Sequence, residues 1–516
     1  MVRQPRVGSR GVSPSGALIV VLMVLLSSCS WASGSTDQKA LEAGEGRPLQ
    51  PVPSVRPAGF AAPPAGAGLS RYEQQPLRWK ACQGGLQCAT VLVPLDYNRP
   101  DDTAITLALA KKVATSRDRL GTLFINPGGP GGSGVNYART FRTTGLEGYD
   151  IVGWDPRGVG RSTPVSCAGV DLDRYLSMDI SPDDAAEEDA LLEADRQLGQ
   201  KCLERSGPLL QHISTDAVAR DLHLLRQLVG EDTVNFFGAS YGTQIGATYA
   251  ELFPRQVGRM VLDGAVNITE DTSVTQAVGF ERALEGFADW CAGRDCALGS
   301  TRAAVLDSIR SLLTRLDASP VAVGDRQLTQ QLAVTGVVAI LYANQDYYRY
   351  LLQALSAAVG ANEGVLLLEL ADSLNQRTTG GGYGQINYAF PAVRCLDDHD
   401  QGVQGEQEIA KAASEKASTV GPFFGADLVC SMWPVAPVPK LHLVGAGAAP
   451  IVVVGTTGDP ATPYEYAVSM AEQLQSGVLV TFKGRGHTAY GQSACVQQRV
   501  VSYLVNGVVP ADGTVC

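Results

Sequence analysis

The segment that most constrains the fold is NFFGASYGTQIG, residues 235–246, in which Gly238, Ser240 and Gly242 form a G-x-S-x-G motif. The motif follows a short apolar run that is typical of a buried strand. The residues after it, YGTQIGATYAELFP, predict a helix that ends before Pro254. Glycines on both sides of a serine permit a tight strand-to-helix turn that exposes the hydroxyl. The pattern therefore predicts that Ser240 is a nucleophile.

Further apolar runs bounded by glycine, proline or aspartate are typical of buried parallel strands. A helix is predicted at STDAVARDLHLLRQLVG, where Val218, Leu222 and Leu225 share one face and Thr215 can cap the start. Alternating strands and helices predict an α/β fold, a mostly parallel sheet flanked by helices, with functional loops at the carboxyl ends of the strands. The runs interpreted as strands are TLFINPGG, YDIVGWDPRG, VNFFGAS, RMVLDGA, PIVVVGTTGD and VLVTFKGRGH.

A serine nucleophile needs a base, and a carboxylate must orient that base. His487 is the best candidate, because it lies in the glycine-rich loop FKGRGHTAYG after the last predicted strand. Asp459, in VVVGTTGDPATPYE, follows the preceding strand, so the serine, aspartate and histidine occur in the α/β-hydrolase order. An alternative role for Asp459 is to cap the turn before Pro460. The remaining histidines have less support for catalysis: His212, His223, His399 and His442.

An acyl-transfer site also needs N–H donors that point at the oxyanion. The amide that follows the nucleophile, at Tyr241, and the amide of Gly129 in the earlier loop FINPGGPGGSG are predicted to supply them. A phosphate-binding interpretation of this loop is weak, because no G-K-[ST] closes it. In GWDPRGVGRS, after the next strand, Asp155 and Arg157 are expected to form an ion pair that braces the loop, with substrate contact as the alternative.

The first thirty residues have the composition of an export signal, in which arginines precede an apolar run that is too short to span a bilayer. The run ends in LLSSCS, which resembles the bacterial lipobox, so 1–28 is predicted to be a lipoprotein signal peptide and Cys29 a lipidated N-terminus. The alternative is an ordinary secretory signal cleaved near Ala32. Residues 29–72 are predicted to be a disordered Pro/Ala/Gly tether after the lipidated cysteine. The protein is expected at the outer face of a bacterial cell membrane.

Ten cysteines remain when Cys29 is set aside, and an even number in an exported chain predicts five disulfides. Connectivity does not follow from sequence, and a preference for short loops suggests the pairs Cys82–Cys88, Cys167–Cys202, Cys291–Cys296, Cys395–Cys430 and Cys495–Cys516. No metal site is expected, because there is no paired C-x-x-C and the histidines do not cluster with the cysteines. A net charge of −11 argues against nucleic acid as a partner.

Five segments together resemble the secreted tripeptidyl aminopeptidases related to proline iminopeptidase, which are α/β-hydrolase serine peptidases: NPGGPGGSG, DIVGWDPRGVGRST, FFGASYGTQIGATYAELFP, GTTGDPATPYE and GRGHTAYG. The resemblance covers roughly residues 75–516, and the family's catalytic residues fall on Ser240, Asp459 and His487. It also implies an inserted, mainly helical lid. The expected domains are 73–270 for the first part of the hydrolase core, 271–437 for the lid and 438–516 for the C-terminal part of the core.

The leading functional hypothesis is an exopeptidase, without a cofactor, that acts on peptides or proteins with free N-termini. The terminal ammonium of such a substrate needs a carboxylate partner in the enzyme. The lid segments AVRCLDD and CSMWP resemble family motifs and make Asp397 the first candidate, Asp398 the second and Trp433 a neighbour of the substrate cleft. The alternative is that the two acids are exposed to solvent on the lid surface and have no role in binding. A carboxylesterase of the same fold is the alternative function, and a non-catalytic envelope binding protein has the least support.

Overall fold

The computed structural model describes residues 47–269, 275–424 and 427–516. The predicted signal peptide and the predicted lipidation site, Cys29, lie outside the described residues. The strands are β1 (Phe60–Ala61), β2 (Lys80–Ala81), β3 (Gln87–Pro94), β4 (Ala104–Lys112), β5 (Gly121–Asn126), β6 (Tyr149–Trp154), β7 (Val234–Ala239), β8 (Val257–Asp263), β9 (Val321–Val323), β10 (Arg326–Leu328), β11 (Ile451–Gly458), β12 (Gly477–Arg485) and β13 (Thr514–Val515). The helices are α1 (Ser70–Glu73), α2 (Gly134–Thr140), α3 (Leu172–Tyr175), α4 (Ala185–Ser206), α5 (Thr215–Leu228), α6 (Gly242–Leu252), α7 (Gln276–Ala292), α8 (Arg302–Ala318), α9 (Gln330–Leu341), α10 (Tyr348–Gly360), α11 (Val365–Leu374), α12 (Ile386–Asp397), α13 (Gly402–Lys416), α14 (Leu428–Ser431), α15 (Tyr464–Gln473) and α16 (Ala494–Asn506).

One large sheet has the strand order β13-β12-β11-β8-β7-β5-β6-β4-β3-β2, with β1 paired to β4. The strands from β13 to β6 are parallel, whereas β4, β3 and β2 extend the sheet as antiparallel strands. The strand order reverses at β5, which lies between β6 and β7. Ligands of such sheets bind beyond the carboxyl ends of the strands at this reversal. The predicted α/β architecture is confirmed.

The central strands are buried on both faces, which explains why they appear in the sequence as continuous apolar runs and not as alternating patterns. Phe124 of β5, Val152 of β6 and Phe236 of β7 are fully buried in the same core. The ring of Trp154 meets Phe124 edge to face. Strands β3 and β4, at the antiparallel edge, were not among the predicted strands.

A helical insertion separates β8 from β11 and contains α7 to α14 together with the β9–β10 hairpin. We call residues 271–437 the lid, after the predicted range, and the helices lie at 276–431 within it. The lid has a hydrophobic core of its own, which includes Phe280, Leu341 and Leu355. Helix α4 precedes the lid in sequence but packs against α12 and α14.

Residues 47–72 pack against the rest of the molecule, so the prediction of a disordered tether through residue 72 is wrong for this part. The guanidinium of Arg47 donates to the carbonyls of Cys430, Cys395 and Val435 and to the carboxylate of Asp400. Strand β1 adds to the sheet edge, and Tyr72 is fully buried. Burial of one arginine and a few apolar side chains offsets the loss of chain entropy in a segment of low overall hydrophobicity.

Disulfides close short loops in the core and in the lid. The bonded pairs are the five that the sequence suggested: Cys82–Cys88, Cys167–Cys202, Cys291–Cys296, Cys395–Cys430 and Cys495–Cys516. The Cys395–Cys430 bridge joins α12 to α14, and α12 is the lid helix that reaches the candidate site. Across the described ranges, no helix combines the length and apolar character needed to traverse a bilayer.

Candidate active site

Ser240 occupies the turn between β7 and α6 with a positive φ of 56°, a conformation that non-glycine residues rarely adopt. Its backbone N–H donates to the carbonyl of Asp263 at 2.9 Å, and its side chain lies at the wall of a small cavity. Gly238 and Gly242 are needed for close packing: a Cβ on Gly238 would lie 2.3 Å from the carbonyl oxygen of Gly242. The predicted strand-to-helix turn is therefore present, and it is a strained one.

Asp459 and His487 form a buried pair. The Nδ1 atom of His487 lies 2.9 and 3.0 Å from the two carboxylate oxygens of Asp459. The carboxylate also accepts the backbone N–H groups of Ala461, Thr462 and Thr488. These three donors and the burial fix the carboxylate in place, so it can hold the imidazole in one orientation and one tautomer.

The hydrogen bond between the serine hydroxyl and the imidazole is not formed. His487 Nε2 is buried and has no hydrogen-bond partner among the described residues. Hydrogen bonds between a nucleophile and its base often become short only when substrate is bound. The structure thus joins Asp459 to His487 and places Ser240 at the same carboxyl edge of the sheet, after β7, with β8 between β7 and β11. The catalytic roles of the three residues remain a prediction.

A second buried carboxylate supports the histidine loop. Asp263, at the end of β8, accepts hydrogen bonds from the backbone N–H groups of Ala489 and Tyr490. Burial raises the pKa of Asp263 to about 6, although these two donors and the nearby His487 oppose the rise. Sequence reasoning missed this residue. Its signal was the same as that of Asp459, an aspartate at the end of an apolar run.

The loop after β5 is held close to the nucleophile. Asn126 accepts the N–H of Gly128 through its side-chain oxygen, and a Cβ on Gly128 would lie 2.8 Å from the backbone nitrogen of Tyr241. The N–H groups of Gly129 and Tyr241 donate to no other described residue. Gly129, Tyr241 and Ser240 line the same cavity. Two backbone donors are thus placed near Ser240, as an oxyanion hole requires.

The ion pair expected between Asp155 and Arg157 does not exist, because the two side chains point to different partners. Asp155 accepts from the hydroxyl of Ser133 and the backbone N–H groups of Val135 and Arg161, so it anchors the start of α2 at the end of the oxyanion loop. Arg157 makes a bidentate, fully buried salt bridge with the carboxylate of Asp221 in α5. Both residues brace the loops around the site, and neither lines the Ser240 cavity.

The end of α12 brings Asp397 and Asp398 to the cavity that contains Ser240. Asp397 accepts the backbone N–H of Thr215 at 2.9 Å and its hydroxyl at 2.6 Å. Helix α5 is capped by the side chain of Ser214, so Thr215 is not the predicted cap. Burial raises the pKa of Asp397 to about 7, against the Thr215 hydrogen bonds. Burial also raises the pKa of Asp398, and Arg394 and Lys440 oppose that rise.

Trp433 does not line the cavity, so its predicted position near the substrate is wrong. Its side chain is fully buried in the core that joins the lid to the sheet. A Cβ on Gly199 of α4 would lie 3.4 Å from its ring. A large aromatic side chain next to a disulfide gains more from burial against α4 than from exposure in a cleft.

Proteins with a serine at the turn after a central parallel strand, an acid and a histidine after later strands, and an inserted lid are α/β hydrolases, and this chain is one. Residues 417–516 match the family described as TAP-like protein. The serine protease Hip1 of Mycobacterium tuberculosis is 36% identical over 479 residues, which are 86% of this chain and 91% of the relative. The tripeptidyl aminopeptidase of Streptomyces lividans is 32% identical over 485 residues, 88% of each chain.

A third relative, carboxylesterase B of M. tuberculosis, is 37% identical over 453 residues, 83% of this chain and 86% of the relative. At these identities and this coverage, the chain belongs to the TAP-like family of α/β hydrolases. It is a serine hydrolase.

Proposed function

We propose that the protein is an exported serine exopeptidase that releases a short peptide from the free N-terminus of a peptide or protein. Two observations carry the proposal: the buried Asp459–His487 pair at the carboxyl edge of the sheet, and the strained Ser240 at the wall of a cavity that two lid carboxylates, Asp397 and Asp398, also line. Carboxylates at the cavity wall favour a substrate that carries a terminal ammonium, because a cation that enters a partly dehydrated site needs an anionic partner. Two relatives that carry peptidase names support the same function.

In the proposed reaction Ser240 Oγ attacks the carbonyl carbon of the scissile peptide bond while His487 Nε2 accepts the hydroxyl proton. The backbone N–H groups of Tyr241 and Gly129 stabilise the negative oxygen of the tetrahedral intermediate. The imidazolium then donates its proton to the leaving amine, and water hydrolyses the acyl-enzyme by the same route. Asp459 stabilises the imidazolium and holds the imidazole in one orientation through its contact with Nδ1.

Recognition of a free N-terminus is assigned to the lid carboxylates. Asp397 already binds the N–H and hydroxyl of Thr215, which occupy its two oxygens. The carboxylate of Asp398 accepts no hydrogen bond from the described residues and lines the Ser240 cavity. Asp398 is therefore the stronger candidate partner for a terminal ammonium, which needs a carboxylate to offset its lost hydration. Asp397 then positions α12 and not the substrate.

A carboxylesterase is the second candidate, because the same serine, base and N–H donors hydrolyse esters and one relative carries that name. The experiment compares three substrates: a free tripeptide with a fluorogenic leaving group, its N-acetylated form and a simple butyrate ester. We expect the free peptide to be cleaved at least about tenfold better than the acetylated one, because acetylation removes the charge. Equal rates of hydrolysis for all three substrates would favour the carboxylesterase function over the proposed peptidase function.

The role of Asp398 is tested with the same substrates in Asp398→Asn. This variant should lower kcat/KM for the free peptide and leave the acetylated peptide almost unchanged, so that the preference narrows. The matched control is Asp325→Asn, which removes an exposed carboxylate from the turn between β9 and β10 of the lid. If Asp398→Asn keeps the wild-type preference for the free peptide over the acetylated one, a different group binds the ammonium.

We also propose that Cys29 is the lipidated N-terminus of the mature protein and anchors it to the outer face of the cell membrane. The LLSSCS sequence supports this location. Cys29→Ala should abolish labelling with a fatty-acid probe and release the protein from the membrane fraction, whereas Ser30→Ala should leave both unchanged. A Cys29→Ala protein that still incorporates the probe would contradict the anchor.

A further inference from the structure

A second cavity, which we call the lid cavity, lies between the lid and the segment that contains Tyr175, Leu176 and Ile180, and it carries no role in the proposed reaction. Its volume is about 220 Å³. Most of its wall is apolar, with side chains from α9, α11 and α12, among them Val334, Leu374 and Phe390, and with Phe423, Phe424 and Val429. A cavity of about 150 Å³ with apolar walls is large enough to hold a benzene ring, so this one accommodates a bulky side chain.

One face of α12 lines both this cavity and the cavity that contains Ser240. Asn387, Phe390 and Pro391 line the lid cavity, Arg394 lines both cavities, and Asp397 and Asp398 line the Ser240 cavity. These positions recur every three or four residues and so form a single helical stripe. The oxyanion loop also touches this helix, because a Cβ on Gly131 would lie 3.1 Å from the Cβ of Ala389. The two cavities therefore lie along the same face of α12 and share Arg394 as a wall residue.

The polar groups in the wall of the lid cavity are mostly satisfied within the protein. Arg394 pairs with Asp427 and packs over the ring of Phe390, with the guanidinium carbon 5.7 Å from the ring centre. The hydroxyl of Tyr175 donates to Asp195. The buried side-chain oxygen of Gln331, also in this wall, accepts no hydrogen bond from the described residues. An apolar cavity with one free acceptor suits an apolar side chain next to a peptide N–H.

We infer that the lid cavity is a specificity pocket that binds a bulky aliphatic or aromatic side chain of the substrate, from a residue on the N-terminal side of the cleaved bond. The inference rests on the proposed peptidase function and adds the class of side chain that the site selects. The N-terminal part of the substrate lies along α12, with its reacting carbonyl at Ser240 and its side chain in the lid cavity. A small side chain leaves the cavity unfilled and gains less from burial.

The experiment fills the cavity and measures selectivity. The substrates are four free fluorogenic tripeptides, all-alanine and three with one phenylalanine at each position in turn. In Val334→Phe the new ring occupies the cavity from α9, where the valine is almost fully buried. We expect kcat/KM to fall about 10- to 200-fold for at least one phenylalanine peptide that the wild type prefers, and to change less than about twofold for the all-alanine peptide.

Two further variants keep the result interpretable. Val365→Phe makes the same substitution on the exposed side of α11 and should leave all four substrates unchanged. Val334→Ala enlarges the cavity with little risk to folding. With a fifth peptide, in which tryptophan replaces the preferred phenylalanine, this variant should shift the preference toward tryptophan. If neither Val334→Phe nor Val334→Ala changes kcat/KM for one peptide more than for the others, the lid cavity is not a specificity pocket, and the proposed peptidase function is unaffected. If the wild type cleaves none of the peptides, the proposed function itself fails.

Discussion

The backbone N–H of Ser240 donates to the carbonyl of Asp263 at 2.9 Å, while the carboxylate of the same aspartate accepts two N–H groups of the loop that follows His487. One residue at the end of β8 thus holds the nucleophile turn through its main chain and the histidine loop through its side chain. Because Asp263 touches neither substrate nor imidazole in this arrangement, it acts as a positioning residue.

Asp263→Asn should lower kcat about 10- to 100-fold with little change in KM. The amide presents an N–H to one of the two loop N–H groups, so a buried donor is left unsatisfied and the loop shifts. Small displacements of a base are costly in rate. Steady-state kinetics with the free tripeptide and a thermal melt provide the test. A fall in melting temperature with unchanged kcat would make the role purely structural.

Ser240→Ala should reduce turnover by about 10⁴-fold or more, because the variant loses the nucleophile but keeps the cavity and the N–H donors. A fluorophosphonate probe should label the wild type at Ser240 and leave the variant unlabelled. Ser116→Ala, at an exposed position before β5, serves as the control. Mass mapping that located the probe on a different serine would overturn the assignment.

Asp459→Asn should retain the fold and lose about 10²- to 10⁴-fold in kcat, since the imidazole is then held in the wrong tautomer or orientation. The loss arises from the 2.9 and 3.0 Å contacts between the carboxylate and Nδ1 of His487. Circular dichroism checks the fold while kcat is measured. Near wild-type turnover would leave Asp459 with only the capping role that its bonds to Ala461 and Thr462 provide.

Arg47→Met should destabilise the protein by about 3 to 5 kcal/mol, because it leaves the almost fully buried Asp400 without its cationic partner. Arg56→Met, at an exposed position of the same segment, should have no measurable effect. Denaturant titration of both variants gives the comparison. The double variant with Asp400→Asn should recover part of the lost free energy of unfolding. Equal free energies of unfolding for Arg47→Met and the wild type would contradict a stabilising role for the Arg47–Asp400 pair.

Asp195→Asn should stabilise the protein at pH 8 and not at pH 4. Burial raises the pKa of Asp195 to about 7, although the hydroxyl of Tyr175 donates to it. Between about pH 4 and pH 7 the unfolded chain has lost this proton while the native state keeps it, so the free energy of unfolding falls as pH rises. Asparagine does not titrate, so the Asp195→Asn variant lacks this fall. Above pH 7 its free energy of unfolding should exceed that of the wild type by on the order of 1 to 4 kcal/mol. Unfolding free energies measured across this range test the prediction, and a gain that does not depend on pH would refute it.

The local pattern of the sequence was sufficient to place the serine, the acid and the histidine on strand ends. Each lies directly after an apolar run, and the carboxyl ends of parallel strands share one edge of the sheet. The parallel direction of these strands could be inferred because apolar runs alternate with helices in the sequence. Strands β3 and β4 could not, because their position depends on pairing at the antiparallel edge of the sheet.

Side-chain partners, in contrast, depended on segments distant in sequence. Arg157 lies two residues from Asp155 but pairs with Asp221, because the buried guanidinium needs a bidentate acceptor that only α5 supplies. Asp397 was predicted to meet an ammonium, and its oxygens are instead occupied by Thr215 across the lid boundary.

By itself the sequence determined the fold class and which residues follow the carboxyl ends of the parallel strands, because periodicity and turn chemistry act over a few neighbouring residues. Only the tertiary structure decided that Arg47 hydrogen-bonds to the lid, that the Trp433 side chain is buried in the core, and that α12 lines two cavities. Each of these follows from burial and hydrogen bonding between segments far apart in the chain, which no local pattern encodes.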